Sequence, residues 1–109
     1  VAGGSHESML RAMTHAIQAS KLRWRLYDQE VKPLPFERAF YLATMGGGAF
    51  FGNVGSFLDG YEFDAVVLDD ASLDHPQELS VRARLERAAY LADDRNLTAK
   101  FVAGQKILG

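Results

Sequence analysis

A chain of 109 residues without cysteine holds at most one domain and carries neither a disulfide framework nor a thiolate metal site. Its formal net charge of -2, with 14 acidic against 12 basic side chains, supplies no field that would recruit nucleic acid or anionic lipid. Hydrophobic residues make up 48% of it, enough for a buried core, but no apolar run approaches the about 20 residues that a membrane helix needs.

The chain opens on Val1 rather than Met, and no signal-peptide pattern precedes the first helix. It is therefore expected to be a processed product or the later part of a longer polypeptide. VAGGSHES (Val1 to Ser8) begins with a glycine pair suited to a close-approach loop, and Ser5 can act as a helix N-cap. From about Glu7 to about Leu26 the pattern is helical, with Met9, Met13 and Ile17 four apart and Leu10 beside them. Pro33 and Pro35 interrupt it. Pro35 suits the first turn of a second helix, expected over 36–45, with Phe36, Ala39, Phe40 and Ala43 on its apolar face and Gly46 as its stop. AVVLD (Ala65 to Asp69) reads as a short strand, expected over 64–69, of the kind buried on both faces. Ser80 can cap a third helix, expected over 80–92, whose apolar face is Val81, Leu85, Ala88, Ala89 and Ala92. TAKFV and QKIL, around Ala103-Gly104, read as two hairpin strands over 98–108.

Taken singly, the possible sites are weak. GGGAFFGNVG follows a helix and carries no Lys-Ser or Lys-Thr, whereas a phosphate loop needs strand, loop and helix in that order. A helix stop with tight turns is the better reading. His6, His15 and His75 show no metal-site spacing with one another or with a carboxylate, so solvated or locally hydrogen-bonded rings are expected. KLRWR (Lys21 to Arg25) interleaves cations with an aromatic, as single-strand binders do. A helix end is the better reading: its cations favour the helix dipole, and Trp24 and Leu26 pack inward. Asp69-Asp70 and Asp93-Asp94 stand at element ends, where solvated turn residues are the default. No catalytic residue and no metal ligand is assigned in this chain.

The order of the pieces carries more than any one of them. VAGG with Ser8-Met9-Leu10, then AFYLATMGG (Ala39 to Gly47), VGSFLDGYEFDAVVLD (Val54 to Asp69), YLADDRN (Tyr90 to Asn96) and FVAGQKI (Phe101 to Ile107) together resemble the C-terminal end of the guanine deaminase family within the amidohydrolase superfamily. VGSFLDG…VVLD alone resembles the broad superfamily's IGSLEPG…VVLD stretch; DDRN and AFYLATMGG narrow the likeness. The departures are a short GGAFFGNVG segment, Ala92 in place of the usual glycine, and Glu7 where an aromatic or aliphatic is common.

The resemblance implies an α/β fold: the C-terminal part of a metal-dependent (β/α)8-barrel amidohydrolase. Residues 1–45 would form the loop after the last barrel strand and the final barrel-packing helices. Residues 46–109 would form the C-terminal part of a composite β-sandwich with a helix inserted near 80–92. It implies hydrolytic deamination of guanine to xanthine and ammonia in the complete enzyme. There zinc lowers the pKa of a bound water, and the resulting hydroxide attacks the amino-bearing ring carbon. The metal ligands and acid/base residues would lie upstream, the last aspartate immediately before Val1. This chain alone would then bind no zinc and be inactive, and at most Val1, Gly3, Gly4 and Ser5 would line one wall of the substrate pocket. Its partners would be the upstream barrel, the purine and further copies of the enzyme, with no nucleic acid and no membrane, in a reducing, cytoplasmic setting. Met9, Met13, Ile17, Phe36 and Phe40 would be covered by another polypeptide. The alternatives are a deaminase or chlorohydrolase of another aminated heterocycle, or a non-catalytic interaction module.

Overall fold

A computed structural model describes residues 4–109. Helix α1 runs Met9–Leu26, and α2 (Phe36–Tyr41) continues directly into a π turn, Leu42–Gly46. Strand β1 (Ala65–Leu68) is followed by α3 (Val81–Leu91), a 3-10 turn at Asp94–Asn96, β2 (Leu97–Val102) and β3 (Gln105–Leu108). The three strands form one antiparallel sheet in the order β1-β2-β3, with a bulge between Val67 and Leu68.

The helices meet as their apolar spacing dictates. Met13 and Ile17 of α1, Phe36 and Ala39 of α2 and Ala89 of α3 form the buried cluster, with Leu10, Leu34, Ala43 and Leu85 packed against it. The Ser20 hydroxyl donates to Ile17 O (2.7 Å) and accepts from Leu34 N–H (2.8 Å), which fixes the linker between α1 and α2. Arg82 of α3 donates to Glu37 and to Glu86 and lies over the Phe36 ring. It joins α3 to α2, but as exposed ion pairs these contacts add little stability.

Several expectations are corrected. The cap of α1 is Ser8, not Ser5: its Oγ accepts from Arg11 N–H at 3.4 Å, so the helix starts two residues later than expected. Gly46 does not stop the second helix. It sits inside the π turn, where a Cβ would come within 2.9 Å of the Tyr41 ring, and its role is close approach rather than chain reversal. Trp24 and Leu26 do not pack inward; both are exposed, and the Trp24 indole N–H donates to Gln29 O at 3.2 Å. Val81 leaves the apolar face of α3 for solvent. Of the five side chains expected to need another polypeptide, Met13, Ile17 and Phe36 are buried by this chain's own helices, while Met9 and Phe40 remain exposed. β1 is not covered on both faces: Val66 and Val67 are exposed, because no second layer within the described residues packs on the sheet.

The total accessible surface is 8338 Å², against roughly 6,000 Å² for a compact chain of this mass. The radius of gyration is 15.5 Å, against roughly 13 Å for this length. The chain thus leaves apolar surface unburied on a scale that a self-sufficient domain does not.

The Ala103-Gly104 hairpin turn forms as expected, with φ of 48° and 77°. Ala103 N–H donates to Asp64 Oδ1 (2.8 Å) and Gly104 N–H to Phe63 O (2.9 Å). Alanine is a poor choice for a left-handed position, where asparagine is better tolerated. Ala103→Asn is expected to gain about 0.5 kcal/mol, read as a rise in the urea midpoint of the longer protein containing this chain. No rise would mean that the turn relaxes out of the left-handed region.

Candidate functional site

A broad open cleft of about 920 Å³ runs along one side of the described residues. It lies between the start of α1, the α2–π turn segment, the β1–β2 pair and the Asp93–Arg95 corner. Its walls differ in chemistry. Met9, Phe40, Val66 and Leu97 make an apolar side; Arg11, Asp93, Arg95 and Lys100 make a charged rim. Exposed apolar side chains grouped in one cleft mark a contact surface, and so wide a cleft suits a packed protein segment better than a small enclosed ligand.

At one end of the cleft the capping by Ser8 leaves residues 5–7 outside the helix. The His6 ring folds back on α1 to meet His15. His6 Nε2 and His15 Nδ1 stand 3.2 Å apart, with the rings edge-on at 4.9 Å between centroids. One ring nitrogen must donate and the other accept. The two histidines are nine positions apart, so no helical or hairpin spacing rule could pair them; only the non-helical segment Ser5 to Glu7 does.

At the other end the DDRN stretch is tied to itself. The Arg95 guanidinium grips Asp93 through Nη2 to Oδ2 (2.6 Å) and Nε to Oδ1 (3.1 Å), and Asp93 also accepts from Arg95 N–H (3.0 Å). The Arg95 side chain holds the Asp93 carboxyl down to about 2, helped by that backbone N–H and by the charge of Arg11. Asp93 is therefore a fixed anion and cap, unsuited to giving or taking a proton near neutrality. Asp69 and Asp70 are more than solvated turn residues: Asp69 Oδ1 accepts from Ala71 N–H, and Asp70 takes Arg84 through both oxygens. His75 is locally bonded as expected, with Nδ1 against Gln77 N and O at 3.1 and 3.2 Å.

Of the expected pocket wall, Val1 and Gly3 lie outside the described residues. Gly4 and Ser5 are exposed and do not line the cleft, which begins at His6. Among the described residues no three His, Asp or Glu side chains stand close enough to hold a metal ion. No helix among them is long and apolar enough to cross a membrane.

The chain matches the Amidohydrolase family over residues 1–107. It is 32% identical to the guanine deaminase of Dictyostelium discoideum, over 98% of this chain and 25% of that protein. It is also 32% identical to the human guanine deaminase, over 99% of this chain and 26% of that protein. Among solved structures, the guanine deaminase from C. acetobutylicum with guanine bound in its active site superposes with a TM-score of 0.87. It is 44% identical, over 93% of this chain and 24% of that one. The E. coli guanine deaminase gives a TM-score of 0.77 at 28% identity, over 95% and 24%. The chain thus spans about a quarter of the length of these relatives, and its mixed helix-and-sheet architecture is part of a (β/α)8-barrel enzyme fold. With all but its last two residues matched to the family, the chain belongs to the amidohydrolase family.

Proposed function

We propose that this chain is the C-terminal part of a guanine deaminase, which in its complete form hydrolyses guanine to xanthine and ammonia. The observation that carries this reading is the 44% identity and TM-score of 0.87, over 93% of the chain, to an enzyme solved with guanine in its active site. The DDRN corner and the AFYLATMGG helix support it over other members of the family. Residues 1–45 are then the last loop and helices of the barrel, and 46–109 the late part of the composite sandwich.

The cleft beside Met9, Phe40 and Val66 is the surface that receives the rest of the same polypeptide. This accounts for the unburied apolar area and for the open faces of β1. Zinc is the proposed metal. In this reading it is held by residues upstream of this chain, and no catalytic step is assigned to residues of this chain. Val1 to Ser5 form one wall of the purine pocket in this reading. The complete enzyme is a cytoplasmic homo-oligomer.

The test compares the longer protein containing this chain with residues 1–109 alone, each supplied with zinc and guanine. The longer protein is expected to convert guanine to xanthine and to retain zinc through gel filtration; the isolated chain is expected to do neither. Turnover of another aminated heterocycle but not guanine would overturn the substrate. Zinc retention and turnover by the isolated chain would overturn the division of labour.

A further inference from the structure

A second cavity, of about 220 Å³, lies on the other side of the Asp70 loop. It is open to solvent and is bounded by the 70–79 loop and the face of α3 that carries Arg84 and Arg87. The two arginines are three residues apart and so share that face, but their circumstances differ. Arg84 is neutralised by the bidentate pair with Asp70, Nε to Oδ2 at 2.7 Å and Nη2 to Oδ1 at 2.8 Å. Arg87 has no carboxylate within ion-pairing distance among the described residues. Its one acceptor is the neutral carbonyl of Asp74, reached by Nη2, and its Nε–H is buried with no partner. The Asp74 carboxylate, also in the wall, accepts from His75 N–H at 2.8 Å.

A guanidinium held against a small cavity with one N–H unmatched is a costly arrangement unless an acceptor arrives. His75 lines the same wall. When its Nδ1 accepts from Gln77 N–H (3.1 Å), the ring proton sits on Nε2.

We propose that the cavity between the 70–79 loop and α3 is a binding site for a small oxyanion, with Arg87 as its principal ligand and His75 as a supporting donor. The fork of a guanidinium matches two oxygens of a phosphate or a carboxylate, and a turn of the Arg87 head that brings its Nε–H out of its buried position lets an entering anion supply the missing acceptor. Arg84 and Asp70 act as the fixed side of the site. The proposal rests on these side chains alone and does not depend on the deaminase reading.

Calorimetric titration of the longer protein containing this chain, at constant ionic strength, tests it. Inorganic phosphate is one titrant and acetate the other, which distinguishes a phosphate from a carboxylate ligand. Saturable 1:1 binding of at least one is expected. Arg87→Gln should weaken it about tenfold or more, and Arg87→Lys, which keeps the charge without the fork, should weaken it less. Arg82→Gln, on the Glu37 and Glu86 side of α3, should leave it unchanged. A circular dichroism spectrum identical to the parent's establishes that each variant is folded. No saturable binding of either anion by the unaltered protein, or equal binding by folded Arg87→Gln, overturns the proposal.

Discussion

Replacing Asn96 with alanine is expected to remove about 3 kcal/mol of stability, a large part of the roughly 5–15 kcal/mol that holds an ordinary domain together. Asn96 is only 7% exposed, and every polar atom of its side chain is used. Oδ1 accepts from Asp93 N–H at 3.0 Å; Nδ2 donates to Asp69 O at 2.9 Å and to Ser72 Oγ at 3.0 Å. Its backbone carbonyl accepts from Asp69 N–H at 2.7 Å. The residue is thus a clasp that fastens the end of β1 to the corner where α3 gives way to β2. Truncation removes three hydrogen bonds and leaves the Asp93 N–H and the Asp69 carbonyl without these partners, and leaving such groups unmatched is the larger part of the cost. Urea unfolding of the longer protein and the variant measures it. Ser72→Ala, which takes away one bond, should cost about 1 kcal/mol. If Asn96→Ala costs no more than Ser72→Ala, the clasp is not formed as described.

Asn96 also shows what could be read from the sequence. YLADDRN is legible as a motif, and its asparagine is legible as a turn residue, but its long-range partners are not. Asp69 and Ser72 lie 27 and 24 positions away, and nothing local announces them. Elements with a strong period were readable: α1 ends at Leu26 as expected, α3 lies within one residue of its expected bounds, and the Ala103-Gly104 turn is where two β-forming runs leave room for it. What escaped were features set by tertiary contact. The choice of Ser8 over Ser5 as cap depends on where the chain leaves the helix, and both serines fit the local rule. The exposure of Val66 and Val67 escaped because an apolar run indicates that a strand wants cover, not whether this chain provides it. The Arg84–Arg87 cavity could have been suspected from two cations on one helical face opposite an acidic loop, yet only the geometry shows that one cation is matched and the other is not. Family membership was more legible than any site because it rests on the order of many weak pieces rather than on one strong one.

Gly55→Ala is expected to be at least as damaging as loss of the clasp, by about 3–5 kcal/mol, through two mechanisms that add. Gly55 has φ of +84°, in the left-handed region where a Cβ meets its own backbone. That alone costs about 1 kcal/mol. The second mechanism is specific to the site. A Cβ at residue 55 would stand 2.5 Å from Thr44 O and 2.9 Å from Met45 N, both backbone atoms of the π turn that follows α2. Backbone cannot step aside as a side chain can, so the turn must shift. Thr44 and its neighbours also line the cleft between the helices and the sheet. The damage should therefore reach whatever packs there as well as global stability. Gly60 provides the internal comparison. Its φ is +87°, nearly the same, but nothing lies within 4 Å of where its Cβ would be. Gly60→Ala should thus show the conformational cost alone, about 1 kcal/mol, while Gly55→Ala shows that cost plus the collision. Parallel denaturation curves of the two variants separate the two contributions. Equal losses would mean that the glycine-rich segment does not press against the π turn, and that the crossing from α2 to the sheet is held by something other than this contact.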